Sequence, residues 1–114
     1  MNKLWGKYMK SLYKHNFTDL SEEIFDIILE KENFYVERII SFGQRTPDGV
    51  WLRQERAELV FLLKGWAKLK FKDKGEDCLM QPGDYVLIKS NEEHRVSETA
   101  PNEETIWLAI HFKE

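Results

Sequence analysis

From Phe34 to the end of the chain, short apolar runs follow one another with strand-like periodicity and no helical stretch between them. FYVERIISF (34–42) is rich in β-branched residues. VWLRQ (50–54), ELVFLL (58–63), WAKLKF (66–71), CLMQPGD (78–84), YVLIK (85–89) and ETIWLAIHF (104–112) follow it. In WAKLKF, Ala67, Leu69 and Phe71 alternate with Trp66, Lys68 and Lys70, so one face is buried and the other mostly wet. Turn signals separate the runs: TPDG (46–49), Lys64-Gly65, KDKGE (72–76), Pro82-Gly83 and SNEEHRV (90–96). Seven or eight short strands with turns about every 8–12 residues predict a sandwich or barrel. Parallel βαβ units are excluded because no helices separate the strands.

The first 33 residues have a different texture. DLSEEIFDIILEK (19–31) places Leu20, Ile24, Ile27 and Ile28 at helical spacing. Asp19 and Glu22 fit a capping box, Glu23 suits the first turn, and Lys31 suits the last. Leu4, Tyr8, Leu12 and His15 also recur at helical spacing, as a second short helix or a loose arm. The expected organisation is therefore an all-β barrel over 34–114, with an N-terminal helical arm over 1–33 packed on it. At 114 residues the chain suits one domain.

Composition narrows the function. Seventeen Lys+Arg against twenty Asp+Glu leave a formal charge of −3, which argues against a nucleic-acid partner held by bulk positive charge. The longest unbroken apolar run, 59–63, is far short of the roughly 20 residues of a spanning helix, so no membrane partner is expected. MNKLWGKYMK lacks the apolar core of a signal peptide, and a cytoplasmic location is the default expectation. Cys78 is the sole cysteine and is read as an inert, partly buried thiol.

The informative spacing runs from Gln54 through Glu58 to Gly65, six residues beyond Glu58. Further on, PGDYVLIKSNEEHRV sets a tight turn, an apolar strand, a polar turn and then His94. Residues two apart on a strand point the same way, and a bulge within 55–57 would keep Gln54 and Glu58 on one interior face. His94 reaches that face from a distant part of the chain. A carboxylate, an imidazole and an amide oxygen converging inside a barrel could hold a divalent ion, with water completing the coordination. Alternatively, a buried Glu58 is paired with a cation such as Arg53, Arg56 or Arg95, or is simply exposed.

This pattern resembles the two-part signature of the cupin superfamily, over roughly residues 36–112. Glu58 falls on the family's glutamate, Gly65 on its glycine and His94 on its second-motif histidine. The two first-motif histidines are replaced by Leu52 and Gln54. A subgroup of short cupins is closer still, matching Trp51, Gln54, Glu58 and TIWLAIHF (105–112). The resemblance implies a cupin-like double-stranded β-helix, or jelly roll. It also implies a metal site at Gln54, Glu58 and His94 for a divalent ion (Zn, Mn, Ni or Fe), beside a small-molecule ligand. Trp51, Tyr85 and His111 are candidate pocket residues, His111 as a possible replacement imidazole. Trp66, Phe61 and Trp107 are candidate lining, core or dimer contacts. Only one imidazole is assigned, which counts against oxygen chemistry and leaves an isomerase, a lyase or a lapsed enzyme. A non-catalytic binding or sensing module and a dimeric scaffold are the alternatives. ELVFLL is apolar on both faces, so a helix or a second subunit must cover its outer face; a homodimer is expected.

Overall fold

The computed structural model describes residues 8–114. Among them are eight strands: β1 (Ile24–Glu30), β2 (Phe34–Ser41), β3 (Ala57–Lys64), β4 (Ala67–Phe71), β5 (Asp77–Met80), β6 (Tyr85–Ile88), β7 (His94–Thr99) and β8 (Thr105–Phe112). They form a five-stranded sheet of order β1-β2-β8-β3-β6 and a three-stranded sheet of order β5-β4-β7. Every named pairing is antiparallel. The core lies between the sheets, where Val60, Leu62, Ile88 and Trp107 of the larger meet Ala67, Leu69, Phe71 and Met80 of the smaller.

The expected helix over 19–31 is absent. Ile24–Glu30 is an edge strand paired with β2, so the sheet begins ten residues earlier than the expected barrel boundary at 34. A bulge between Ile27 and Leu29 explains the misleading period. It inserts an extra residue and re-phases the alternation, so apolar positions fall at spacings that mimic a helix. The expected cap is a local turn instead: the Ser21 backbone N–H and hydroxyl both donate to the Asp19 carboxylate. These bonds hold the exposed Asp19 carboxyl below its ordinary range. VWLRQ is also not a strand; only Leu52 bridges, to His94.

Residues 8–23 contain no helix. Part of this arm is tied to the sheet by Arg38, which donates to the carbonyls of Ser11, Leu12 and Lys14 and pairs with Asp26 at 2.8 Å. His15 pairs with Glu104 at 2.7 Å, and so has a tethering role. Leu4, the first residue of the expected second helix, lies outside the described residues.

Register partners share a sheet face. One inner row therefore reads Tyr35, His111, Glu58, Ile88 across β2, β8, β3 and β6. On the outer face, Leu29, Val36, Ile110, Leu59 and Leu87 form one aliphatic row across all five strands. At its two ends, Leu29 and Leu87 are 43% and 44% exposed. The outer side of ELVFLL thus belongs to a continuous apolar face, as its composition predicts.

Candidate functional site

A cavity of about 330 Å³ opens between the two sheets. That volume lies within the range of small-molecule sites. Leu52, Val60, Leu69, Ile88, Val96 and Trp107 supply apolar walls, while Glu23, Glu37, Glu58 and His94 supply polar groups.

Glu58 is the second residue of β3, and strand alternation turns it inward with Val60 and Leu62. His94 opens β7 on the other sheet rather than sitting in a surface turn, and it is only 5% exposed. Leu52 N–H donates to the His94 carbonyl, and His94 N–H to the Leu52 carbonyl. This two-bond bridge fixes the 50–56 loop beside the cavity. His94 Nδ1 lies 2.9 Å from the Glu92 carbonyl oxygen. A carbonyl only accepts, so Nδ1 carries the hydrogen, and Nε2 is the ring nitrogen left without a protein partner.

Gln54 does not itself line the cavity; its amide Nε2 donates to Glu58. His111 stands behind Glu58, buried, with Nε2 at 2.8 Å from Glu37 Oε1 and Nδ1 at 3.9 Å from Glu58 Oε2. Tyr35 stacks on the His111 ring at 4.2 Å, and Arg56 lies over Tyr35. Burial, then the charges of Glu37 and Glu58, push the Tyr35 hydroxyl above its ordinary range. None of the expected arginines pairs with Glu58. Arg95 instead reaches the Thr46 carbonyl and Asp48.

Two expected pocket residues are elsewhere. Tyr85 is 68% exposed on the outer face against Phe61, because it is the register partner of Phe61 and shares its outward direction. Trp51 does not line the cavity; Lys72 and Arg95 lie over its ring. Trp107 does line the cavity, and its Nε1–H donates to Ser41.

Glu37 and Glu23 were not anticipated. Glu37 shares the inner parity of Tyr35, Ile39 and Ser41, so a charge on the core face of an otherwise apolar strand was its signal. Glu23 carried no such signal, since it was read as a helix-dipole residue. It accepts from the Ser41 hydroxyl. Burial pushes its carboxyl above the ordinary range, against the Ser41 hydrogen bond and with help from the Glu37 charge.

The expected metal set comprises one imidazole, one carboxylate and an amide whose nitrogen is committed to that carboxylate. Among the described residues, no three His, Cys, Asp or Glu side chains are grouped to hold a metal ion. Catalytic zinc sites use three protein ligands and structural ones four. The donors present fall short of that for a tightly held resident ion.

A family model for the cupin domain matches residues 39–111. Among solved structures, this chain is similar to a protein of Ralstonia eutropha JMP134 described as "a putative mannose-6-phosphate isomerase". Identity is 32% and the TM-score 0.89, covering 93% of this chain and 98% of that one. It is also similar to a cupin superfamily protein of Desulfitobacterium hafniense DCB-2, at 12% identity and TM-score 0.70 over 87% and 84%. A third is the polyketide cyclase RemF of Streptomyces resistomycificus, at 19% identity and TM-score 0.69 over 82% and 67%. The last two likenesses concern the fold alone. No curated protein matches this chain. Among the described residues, no helix is long and apolar enough to cross a membrane.

Proposed function

Given that the chain belongs to the cupin family, we propose that it binds a small organic molecule in the cavity between its sheets, with Glu58 and His94 as the orienting polar groups. One observation carries this reading: Glu58 from β3 and His94 from β7 line the same largely apolar cavity, although they belong to different sheets. Few, fixed polar groups in an apolar hollow are the usual make-up of a small-molecule site. The Ralstonia relative carries an isomerase description, but this reading stops at binding and leaves catalysis open. A cytoplasmic location belongs to the same reading.

The test is a ligand screen by thermal shift on the wild type and on Leu69→Trp, which fills the cavity. Ligands that raise the wild-type melting temperature and lose their effect in the filled variant support the reading. If no compound distinguishes the two proteins, the cavity is not a binding site. A ligand confined to the folded state must stabilise it by mass action.

A second reading has its own observation. His94 offers Nε2 with Nδ1 held by a carbonyl, the arrangement that orients imidazoles toward metals. A weakly held divalent ion at Glu58 and His94, with Gln54 beside them, would stabilise the fold in a thermal shift with Zn, Mn, Ni or Fe(II). Glu58→Gln and His94→Ala would each abolish that shift. Stoichiometric metal in untagged protein would favour this reading; no metal and no shift would remove it.

A further inference from the structure

The polar lining of the cavity is one-sided in hydrogen-bonding sense. Glu37 Oε1 is taken by His111, Glu58 Oε2 by Gln54 and Glu23 Oε2 by Ser41. The second oxygen of each carboxylate has no protein partner among the described residues. None of these oxygens is sealed away, because the only buried unpartnered side-chain atoms there are Arg38 Nε and His111 Nδ1. His94, 5% exposed, adds an Nε2 without a protein partner. Most competing side-chain donors are spent; the Thr46 hydroxyl, whose oxygen accepts from the Val96 N–H, is the neutral one that keeps its hydrogen. Gln44 donates its amide to the Leu20 carbonyl and accepts from the Phe42 N–H; Trp107 Nε1–H goes to Ser41. Arg45 is the one cationic lining residue, and it is solvent-exposed.

We infer that the cavity selects a small organic ammonium, with its cationic head among Glu23, Glu37, Glu58 and His94 Nε2 and its apolar body against Leu69, Val96 and Trp107. This rests on the binding reading above and specifies its ligand class. Acceptors left without donors in a low-dielectric hollow are satisfied by a group that brings hydrogens and positive charge. A carboxylate or phosphate would instead meet three carboxylates, with only the exposed Arg45 at the lining to offset them. The raised Glu23 carboxyl points the same way: burial and the nearby Glu37 charge leave it undercompensated when no cation is present.

The experiment uses three probes with one skeleton: cyclohexylamine, cyclohexanol and cyclohexanecarboxylate. Each is titrated into ¹⁵N-labelled full-length protein dialysed against EDTA, so that no metal mediates binding. The readout is the shift of the Val60, Leu69 and Val96 amides and the Trp107 indole. The expected result is saturable binding of the amine, at least about tenfold tighter than the alcohol, and no saturable binding of the carboxylate. Glu58→Gln should weaken the amine by about tenfold and the alcohol by much less, a selectivity that loss of structure would not give. Equal or tighter binding of the alcohol or the carboxylate overturns the inference and leaves the binding reading standing. Silence from all three probes overturns both.

Discussion

His111 and Glu37 are joined at 2.8 Å although they are not register partners: His111 faces Tyr35, and Glu37 faces Ala109. The small Ala109 side chain leaves room for Glu37 to run along the inner face of the sheet to the imidazole. Both groups are almost fully buried, Glu37 at 7% and His111 at 4%. Glu37→Ala would strand the buried ring nitrogen and is expected to cost about 2–3 kcal/mol. Glu37→Gln keeps a hydrogen-bonding partner and should cost about 1 kcal/mol. Urea unfolding monitored by Trp fluorescence measures both. Equal losses in the two variants would mean that the bond contributes little and only packing matters.

Glu23 sets the sign of one pH effect. Its carboxyl is raised above 4.5 by burial, with Ser41 lowering it and the Glu37 charge raising it. A raised carboxyl holds its proton more tightly when folded, so its contribution is fully present below the unfolded value. That contribution is lost as pH rises through the folded value. Glu23→Gln removes the titration. The variant's melting temperature should gain on the wild type as pH rises from about 4.5 through the raised folded value, then stay level. A constant difference across that range would show that the Glu23 carboxyl does not titrate abnormally.

Gly65 is the second site where one atom decides stability. Its φ is +79°, and an added Cβ would lie 2.6 Å from the Glu104 carbonyl oxygen and from Thr105 Oγ1. The left-handed backbone alone costs an alanine about 1–2 kcal/mol, and the clash with fixed backbone adds to it. Gly65→Ala should therefore lose more than about 2 kcal/mol. Gly75 has φ +74° but open space around its Cβ, so Gly75→Ala should lose only the backbone cost, about 1–2 kcal/mol. Thermal unfolding of the pair separates clash from conformation.

These residues also show what can be read from a sequence. The β-rich body was legible because turn residues and period-two alternation agree from Phe34 onward. Glu58 was legible from strand alternation ahead of an apolar run, and His94 from its place in the motif that resembles the family's; both line one cavity. β1 was hidden by its bulge, which gave an edge strand a helix-like apolar spacing. Glu37 was readable in principle as a charge at inward parity. Glu23 was not, because its position depends on β1 lying beside β2 rather than on any local pattern. Tyr85 failed for the opposite reason: an aromatic near a turn carries no information about its direction until the register with Phe61 is known.

The outer aliphatic row leads to an assembly prediction. Leu29, Val36, Ile110, Leu59 and Leu87 cross five strands, four spacings or about 19 Å at the usual strand separation. A row of one chemical character is self-complementary under a two-fold axis, so a second copy of this chain is the proposed cover. Leu29→Glu and Leu87→Glu place charges at the half-exposed ends of the row, where the monomer fold can hydrate them. Wild-type protein should sediment as a dimer at micromolar concentration. The double variant should sediment as a monomer, with unchanged far-ultraviolet circular dichroism. A wild-type monomer under those conditions would remove the dimer and leave the row in need of another cover.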